Sequence, residues 1–355
     1  GVRVGVLAMD HEDVRVLYHH RPTEPKIPAS NQTLLTAAAT LVALGADYRF
    51  TTRFSVQRDV LVVRAGGDPN WRSGTEHDPE GVLDRLAERL RAAGSRSLEG
   101  GVVDPGAFTG PSRPPGWPKD QLEYYYCAPT AGLAMQEGCF LADVHAPVGA
   151  ARTRIELLAP QTGRPILGSI LPVAPGSKKR AAYGIRDPGD ARLRARGRIV
   201  ASSRPARVVA AVSDPQLWAE LTLVHGLRKR GIEVGDAQVA LSAVVGASPK
   251  GAHELFTYTS PLAPALRRCL TNSSNFTAEM LTRCIGAASG DGSLAGGVRA
   301  MKQQLVRYVG DLGEGVVLAD GSGLSRNNRI TPALLVATLH QSCKDPKMAE
   351  TLFAT

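Results

Sequence analysis

Ser30 and the run Ser273-Ser274-Asn275 are the side chains in this 355-residue chain whose types and settings could support nucleophilic chemistry. Ser30 stands just before Leu34, Leu35, Ala38, Leu41 and Val42, which fall at helical spacing, so it occupies a helix N-terminus. A serine there has two uses. Its hydroxyl can accept from the N–H groups of the next turn as a cap. Alternatively it can act as a nucleophile, with the free N–H groups and the positive end of the helix stabilising an oxyanion. In isolation the cap is the commoner use. Ser273 and Asn275 precede a second apolar stripe, Phe276, Met280, Leu281, Cys284 and Ile285, and could also serve as caps.

Other chemistries find little support. The five cysteines, Cys127, Cys139, Cys269, Cys284 and Cys343, are odd in number and scattered, which fits neither a disulfide framework nor a zinc site. No Cys-x-x-Cys or His-Glu-x-x-His occurs, and His19-His20 adjoin a strand-like run as an exposed or satisfied pair. Gly66-Gly67-Asp68-Pro69 follows a strand but lacks the Gly-Lys-Ser/Thr ending of a phosphate loop, and reads as a turn. Asp320 to Arg326 carries one carboxylate, too few for calcium. No cofactor and no metal is expected. With 42 Lys and Arg against 33 Asp and Glu, the chain suits anionic partners: wall polymers, lipid headgroups or nucleic acid. The densest arginine stretch, Arg192 to Arg207, lacks interleaved aromatics, so no specific nucleic-acid partner is expected. No apolar run reaches the roughly 18 residues of a membrane span, so membrane contact is expected to be peripheral at most.

The elements that would position these side chains are legible in outline. Val2, Val4 and Val6, turn chemistry at Asp10 to Asp13, then Val14, Val16 and Tyr18 predict an antiparallel hairpin. Pro22 to Pro28 link it to the first helix, which Gly45 should stop. Val60 to Val63, a helical stripe at Val82, Leu83, Leu86 and Leu90, and Leu98 to Val103 predict a βαβ unit. Val208 to Val212, Leu217 to Leu227 and Ile232 to Val234 read as a related unit. The segment between, rich in Gly, Pro and Arg, reads as a small inserted β module. Thr331-Pro332 should start a C-terminal helix through Leu334, Leu335 and Leu339.

Taken in order, several stretches resemble one family, the class C low-molecular-mass penicillin-binding proteins, a D-alanyl-D-alanine carboxypeptidase/endopeptidase group. They are Pro28-Ala29-Ser30 with Leu44 to Phe50; Gly66 to Pro69; Gly116-Trp117 with Tyr126-Cys127-Ala128 and Gly132-Leu133; Ser273-Ser274-Asn275 with Ala278-Glu279; and Asp320 to Arg326 with Asn328-Arg329. The resemblance spans residues 1 to about 340. It implies an α/β, multi-domain fold: a serine penicillin-recognising (β-lactamase/transpeptidase-like) domain split in sequence. Residues 1–58 and 245–355 would form that domain, 59–147 and 207–244 an inserted α/β domain, and 148–206 the β module. It also implies serine acyl transfer on peptidoglycan stem peptides, trapping by β-lactams, and a periplasmic or other extracytoplasmic place in the cell envelope.

In the family pattern the nucleophile is the Ser of S-x-x-K, whose Lys takes the hydroxyl proton. The Ser of S-x-N relays it and the Asn holds the substrate amide. A K-T-G strand binds the terminal carboxylate and supplies half the oxyanion hole. The resemblance places Ser30 as nucleophile and Ser273 and Asn275 as S-x-N. Thr33 occupies the Lys position, and Lys26, four residues before Ser30, is no substitute. No Lys-Thr-Gly occurs in the 355 residues, so the C-terminal sheet strands are expected to be missing. A positioned base contributes about 10²–10⁴ in rate, so a neutral hydroxyl at Thr33 predicts impaired catalysis. The alternative is a non-catalytic pseudoenzyme that binds peptidoglycan or a partner.

Overall fold

The computed structural model describes residues 4–177, 181–235 and 251–353. Val2 of the expected hairpin and the expected domain boundary at 244–245 lie outside the described residues. In chain order the elements are β1 (Val6–Met9), β2 (Val16–His20), α1 (Gln32–Leu44), β3 (Arg49–Gln57), β4 (Val60–Arg64), α2 (Pro79–Ala92), β5 (Ser97–Leu98) and β6 (Gly100–Asp104). There follow β7 (Cys139–His145), β8 (Arg154–Ala159), β9 (Leu167–Val173), β10 (Ala182–Arg186), β11 (Arg194–Val200), β12 (Ala206–Ala211), α3 (Pro215–Lys229) and β13 (Glu233–Val234). The last are β14 (His253–Pro261), α4 (Leu262–Thr271), α5 (Asn275–Ala288), α6 (Leu294–Val309), α7 (Pro332–Lys344) and α8 (Pro346–Phe353). The chain divides into two compact units, one of residues 1–50, 107–119 and 259–355, the other of 51–106 and 120–258.

The first unit is helical around α1. Unlike a surface helix, α1 buries residues on every side, from Gln32 and Thr33 through Leu35, Thr36 and Ala37 to Thr40 and Leu41. Its alanines let α5, α6 and α7 approach closely, and Leu35 and Ala39 join Ile285, Met301, Leu305 and Leu334 in one core. A fully buried leucine such as Leu35 contributes about 1.5–3 kcal/mol by leaving water. Gly45, in a left-handed conformation at φ 80°, ends the helix as its lack of a Cβ predicts. The hairpin β1–β2 is antiparallel, with Val6 opposite His20. Thr331 caps α7 by accepting from Leu334 N–H at 3.0 Å.

The second unit contains the four-stranded order β14-β3-β4-β6, to which β3 and β14 give most of their length. Phe54 stacks on Phe256 with centroids 4.7 Å apart. β4 and β6 run parallel, with α2 between them in sequence, so the first predicted βαβ unit is present. The second is not. β12 pairs antiparallel with β7, whereas β13 pairs parallel with β5 in a different sheet. Strand-helix-strand order along the chain does not fix which sheet each strand joins; β7, the largely apolar run Cys139–His145, pairs with β12 along the whole length of β12. β8 also pairs with β7, and β10-β11-β9 make a separate sheet. Gly66 to Pro69 is a turn: Asp68 accepts from Asn70 N–H and Trp71 Nε1–H. Among the described residues no helix is long and apolar enough to cross a membrane.

Candidate active site

Ser30 lies in a 3₁₀ turn, Ala29–Asn31, immediately ahead of α1. The cap reading of Ser30 does not hold: Asn31 is the N-cap residue, neither end has a side-chain cap, and the exposed Ser30 hydroxyl bonds to no described residue. The preceding Ala29 has φ 47°, in the left-handed region that a non-glycine residue enters at a cost of order 1–3 kcal/mol. The backbone that presents Ser30 is therefore held by its surroundings. Gly323 does part of this, since a Cβ there would fall 1.9 Å from the Ala29 carbonyl oxygen. Only glycine allows that approach.

Thr33 is one turn into α1 and 4% exposed. Its hydroxyl donates to the Ser30 carbonyl oxygen at 2.8 Å. It thus engages the backbone of Ser30 and brings no amine. Lys26 forms an ion pair with Glu24, and its backbone bridges to Ile330.

Ser273 and Asn275 lead into α5, which packs against α1. The cap of α5 is Ser274, whose Oγ accepts from Thr277 N–H at 3.2 Å and from its hydroxyl at 3.0 Å. The cap reading of Ser273 and Asn275 is therefore corrected by one position. Ser273 is exposed and left-handed at φ 50°, and Asn275 is the first helical residue. Strained backbone thus marks Ser273 itself and the residue just before Ser30.

A buried polar cluster joins the two helix starts. Asp320, fully buried, accepts from Gly323 N–H (2.8 Å) and Asn328 Nδ2 (2.7 Å) on one oxygen, and from Ser325 N–H (2.7 Å) and Trp117 Nε1 (3.0 Å) on the other. Glu279 of α5 accepts from Gly321 N–H (3.0 Å) and Ser322 N–H (2.9 Å). Thr36 donates to Gly321 O (2.6 Å) and Gln32 Nε2 to Asp320 O (3.3 Å). The loop at Asp320 to Gly323 is therefore fastened to α1 and α5 alike. Burial, then the nearby Asp320 charge, pushes the Glu279 carboxyl up to about 8 against the pull of its backbone donors.

The sequence motifs contain Trp117, Glu279, Asp320 and Asn328 but assign them no roles, and they leave out Gln32, Thr36 and Thr40. A signal for these three is present all the same. They recur at i, i+4 and i+8 on a helix otherwise rich in alanine and leucine, which places them on one face.

Two serine-bearing helix starts thus lie beside one buried acidic loop. The model of the D-Ala-D-Ala carboxypeptidase 3 (S13) family matches residues 1–354, and the chain belongs to that family. It is 30% identical over 98% of its length to a D-alanyl-D-alanine carboxypeptidase of Actinomadura sp., covering 65% of that protein. It is 23% identical over 97% of its length to D-alanyl-D-alanine carboxypeptidase DacB of Haemophilus influenzae, covering 72% of it. The chain thus spans about two thirds of the length of these relatives. Its multi-sheet α/β fold is similar to the crystal structure of penicillin binding protein 4 (dacB) from Haemophilus influenzae. The TM-score is 0.80 at 24% identity, covering 98% of this chain and 76% of that one.

Proposed function

We propose that these 355 residues form a peptidoglycan-directed, penicillin-binding member of the carboxypeptidase/endopeptidase family whose acyl-transfer step is impaired. The observation that carries the reading is the Thr33 hydroxyl, bound to the Ser30 carbonyl where the family pattern has a lysine amine. Ser30 is the nucleophile, presented on a strained turn at the positive end of α1. Ser273 would relay its proton and Asn275 would hold the substrate amide. With a neutral hydroxyl at position 33, the Ser30 proton has no strong acceptor. The stem peptide terminating in D-Ala-D-Ala is the substrate class, β-lactams are its mimics, and the cell envelope is the setting.

The finer architecture belongs to the same reading: a transpeptidase-like domain of residues 1–58 and 245–355, interrupted by an α/β domain (59–147 and 207–244) that carries a β module (148–206). Thr33 also favours the second reading, a pseudoenzyme that holds peptidoglycan or a partner without turning it over.

Labelling with a fluorescent penicillin tests the proposal. The natural chain should label slowly or not at all, Ser30→Ala not at all, and Thr33→Lys at least about 100-fold faster than the natural chain, the lower end of a general base's contribution. Rapid labelling of the natural chain at Ser30, or brisk release of D-Ala from a D-Ala-D-Ala peptide, overturns the impairment. Retention on purified sacculi that survives Ser30→Ala favours the pseudoenzyme.

A further inference from the structure

The arginine-dense stretch of the sequence becomes a geometrically ordered face in the structure. β11 is the central strand of the sheet β10-β11-β9. Its odd-numbered residues Ala195 and Ile199 are buried in a core with Ile170, Ile185, Phe140 and Trp218. The pleat therefore turns Arg194, Arg196 and Arg198 together onto the opposite face, where all three are exposed. Side chains two apart on a strand stand about 7 Å from one another, so the three guanidinium groups form a line.

The cross-strand neighbours leave that line uncovered. On β10, Ala182 lies opposite Arg198, Gly184 opposite Arg196 and Arg186 opposite Arg194. Two small residues thus face two arginines on this side, and at the third position a like charge faces a like charge, an arrangement that costs stability; on β9 the neighbours are Leu167, Ser169 and Leu171, none of them charged. Acidic partners reach one end only: Glu123 pairs with Arg186 at 2.9 Å, and Asp190 with Arg192 and Arg194 at 2.7 and 3.3 Å. Asp187 is spent on Ser213, Trp218 and nearby backbone N–H groups. The guanidinium groups of Arg196 and Arg198 meet no acidic or hydrogen-bonding partner among the described residues. At the Arg186 end the surface is concave, a groove of about 480 Å³ walled by Arg186, Arg194 and Arg196 together with the already engaged carboxylates Glu123 and Asp187.

We propose that this face binds a linear phosphodiester polymer of the polyol-phosphate or sugar-phosphate type, laid along β11. Arginine matches phosphate oxygens with a planar two-pronged donor set, and evenly spaced monoanions suit evenly spaced guanidinium groups. A bilayer would want a continuous apolar patch beside the charges. Here Leu167 and Leu171, 38% and 48% exposed, are separated by Ser169, and exposed Val200 extends the apolar surface beside Leu171 at one end of the line only. Single-stranded nucleic acid would want aromatic platforms, and none stands on this face of the three strands. Binding on this face is independent of acyl transfer at Ser30.

Fluorescence anisotropy of labelled poly(glycerol phosphate) with the whole chain tests it. Binding should weaken steeply with salt, and the pair Arg196→Glu, Arg198→Glu should lose at least tenfold while melting at the same temperature as the natural chain. The pair Lys302→Glu, Arg307→Glu on α6, with the same charge change at exposed positions elsewhere, should stay within about twofold. Equal losses in both pairs overturn the proposal, since net charge alone would then account for binding. So do absence of binding at low salt, and tighter binding to phosphatidylglycerol vesicles or to oligo(dT) than to the polyol phosphate.

Discussion

Each unit of this protein buries one glutamate whose carboxyl is pushed up to about 8, and the two could hardly be placed more differently. Glu279 sits in a polar cluster, where Gly321 and Ser322 each donate a backbone N–H to it and the charge of Asp320 adds to the effect of burial. Glu220, 2% exposed on α3, faces a small apolar cleft of about 20 Å³ lined by Leu61, Val63, Leu98 and Leu227. Neither of its oxygens has a well-formed hydrogen bond to a described residue, although Gln216, one turn earlier, tempers the shift. The first carboxylate organises a loop beside the candidate nucleophile through one of its oxygens; the second is buried with little compensation. A raised pKa in a buried acid marks a site only where the surrounding donors show what the acid holds.

The contrast can be broken or sharpened by substitution. Asp320→Ala should have the largest effect. It strands four buried donors, each costing about 1–3 kcal/mol, so the first unit should lose more than about 4 kcal/mol by denaturant unfolding. Survival with a loss under about 1 kcal/mol would show that the cluster is dispensable. Glu279→Ala leaves two backbone N–H groups unpaired and should cost about 2–4 kcal/mol, whereas Glu279→Gln, which keeps an acceptor oxygen, should cost less.

Glu220→Gln should act in the opposite direction. Its folded pKa lies above the unfolded value, so the stability it lends is complete below about pH 4.5 and is lost as the pH rises through about 8. The variant should match the natural chain near pH 4 and exceed it by a few kcal/mol at pH 9, since a tenfold change in an acid's dissociation constant corresponds to about 1.4 kcal/mol. Parallel melting-temperature profiles from pH 4 to 9 would contradict the poorly compensated burial. The smallest effect is expected for Ser274→Ala, about 1 kcal/mol from loss of the α5 cap, read by thermal unfolding.

Much of the local structure is legible in the sequence. Periodicity locates α1, α2, α3, α5 and α7, and the Gly45 stop and Thr331 cap carry their meaning in residue type alone. Local signals mislead where a partner distant in sequence decides. β12 and β13 look like two strands of one unit, yet β7 claims one and β5 the other. Ser273 looks like a cap, yet its left-handed backbone passes that task to Ser274. α4, α6 and α8 carry none of the motifs that mark α1 and α5, although each is amphipathic and Ser293 caps α6 by accepting from Gly296 N–H, signals that residue type and spacing do hold.

By itself the sequence determined which side chains are on offer: Ser30 at a helix start, a hydroxyl at position 33, an S-x-N run, a lone carboxylate among the glycines of 320 to 323, and alternate arginines from 194 to 198. Those are matters of residue type and short-range spacing, which the polymer's own periodicities translate directly into faces and turns. Tertiary structure alone decided that Asp320 gathers donors from Trp117 and Asn328, that Gly323 presses against the carbonyl before Ser30, and that two of the three aligned arginines stand opposite small residues of β10. Each of these joins positions separated by anywhere from eight to about three hundred residues, and what fixes them is the exclusion of water and the need to satisfy every buried donor, conditions that exist only once the chain has closed on itself.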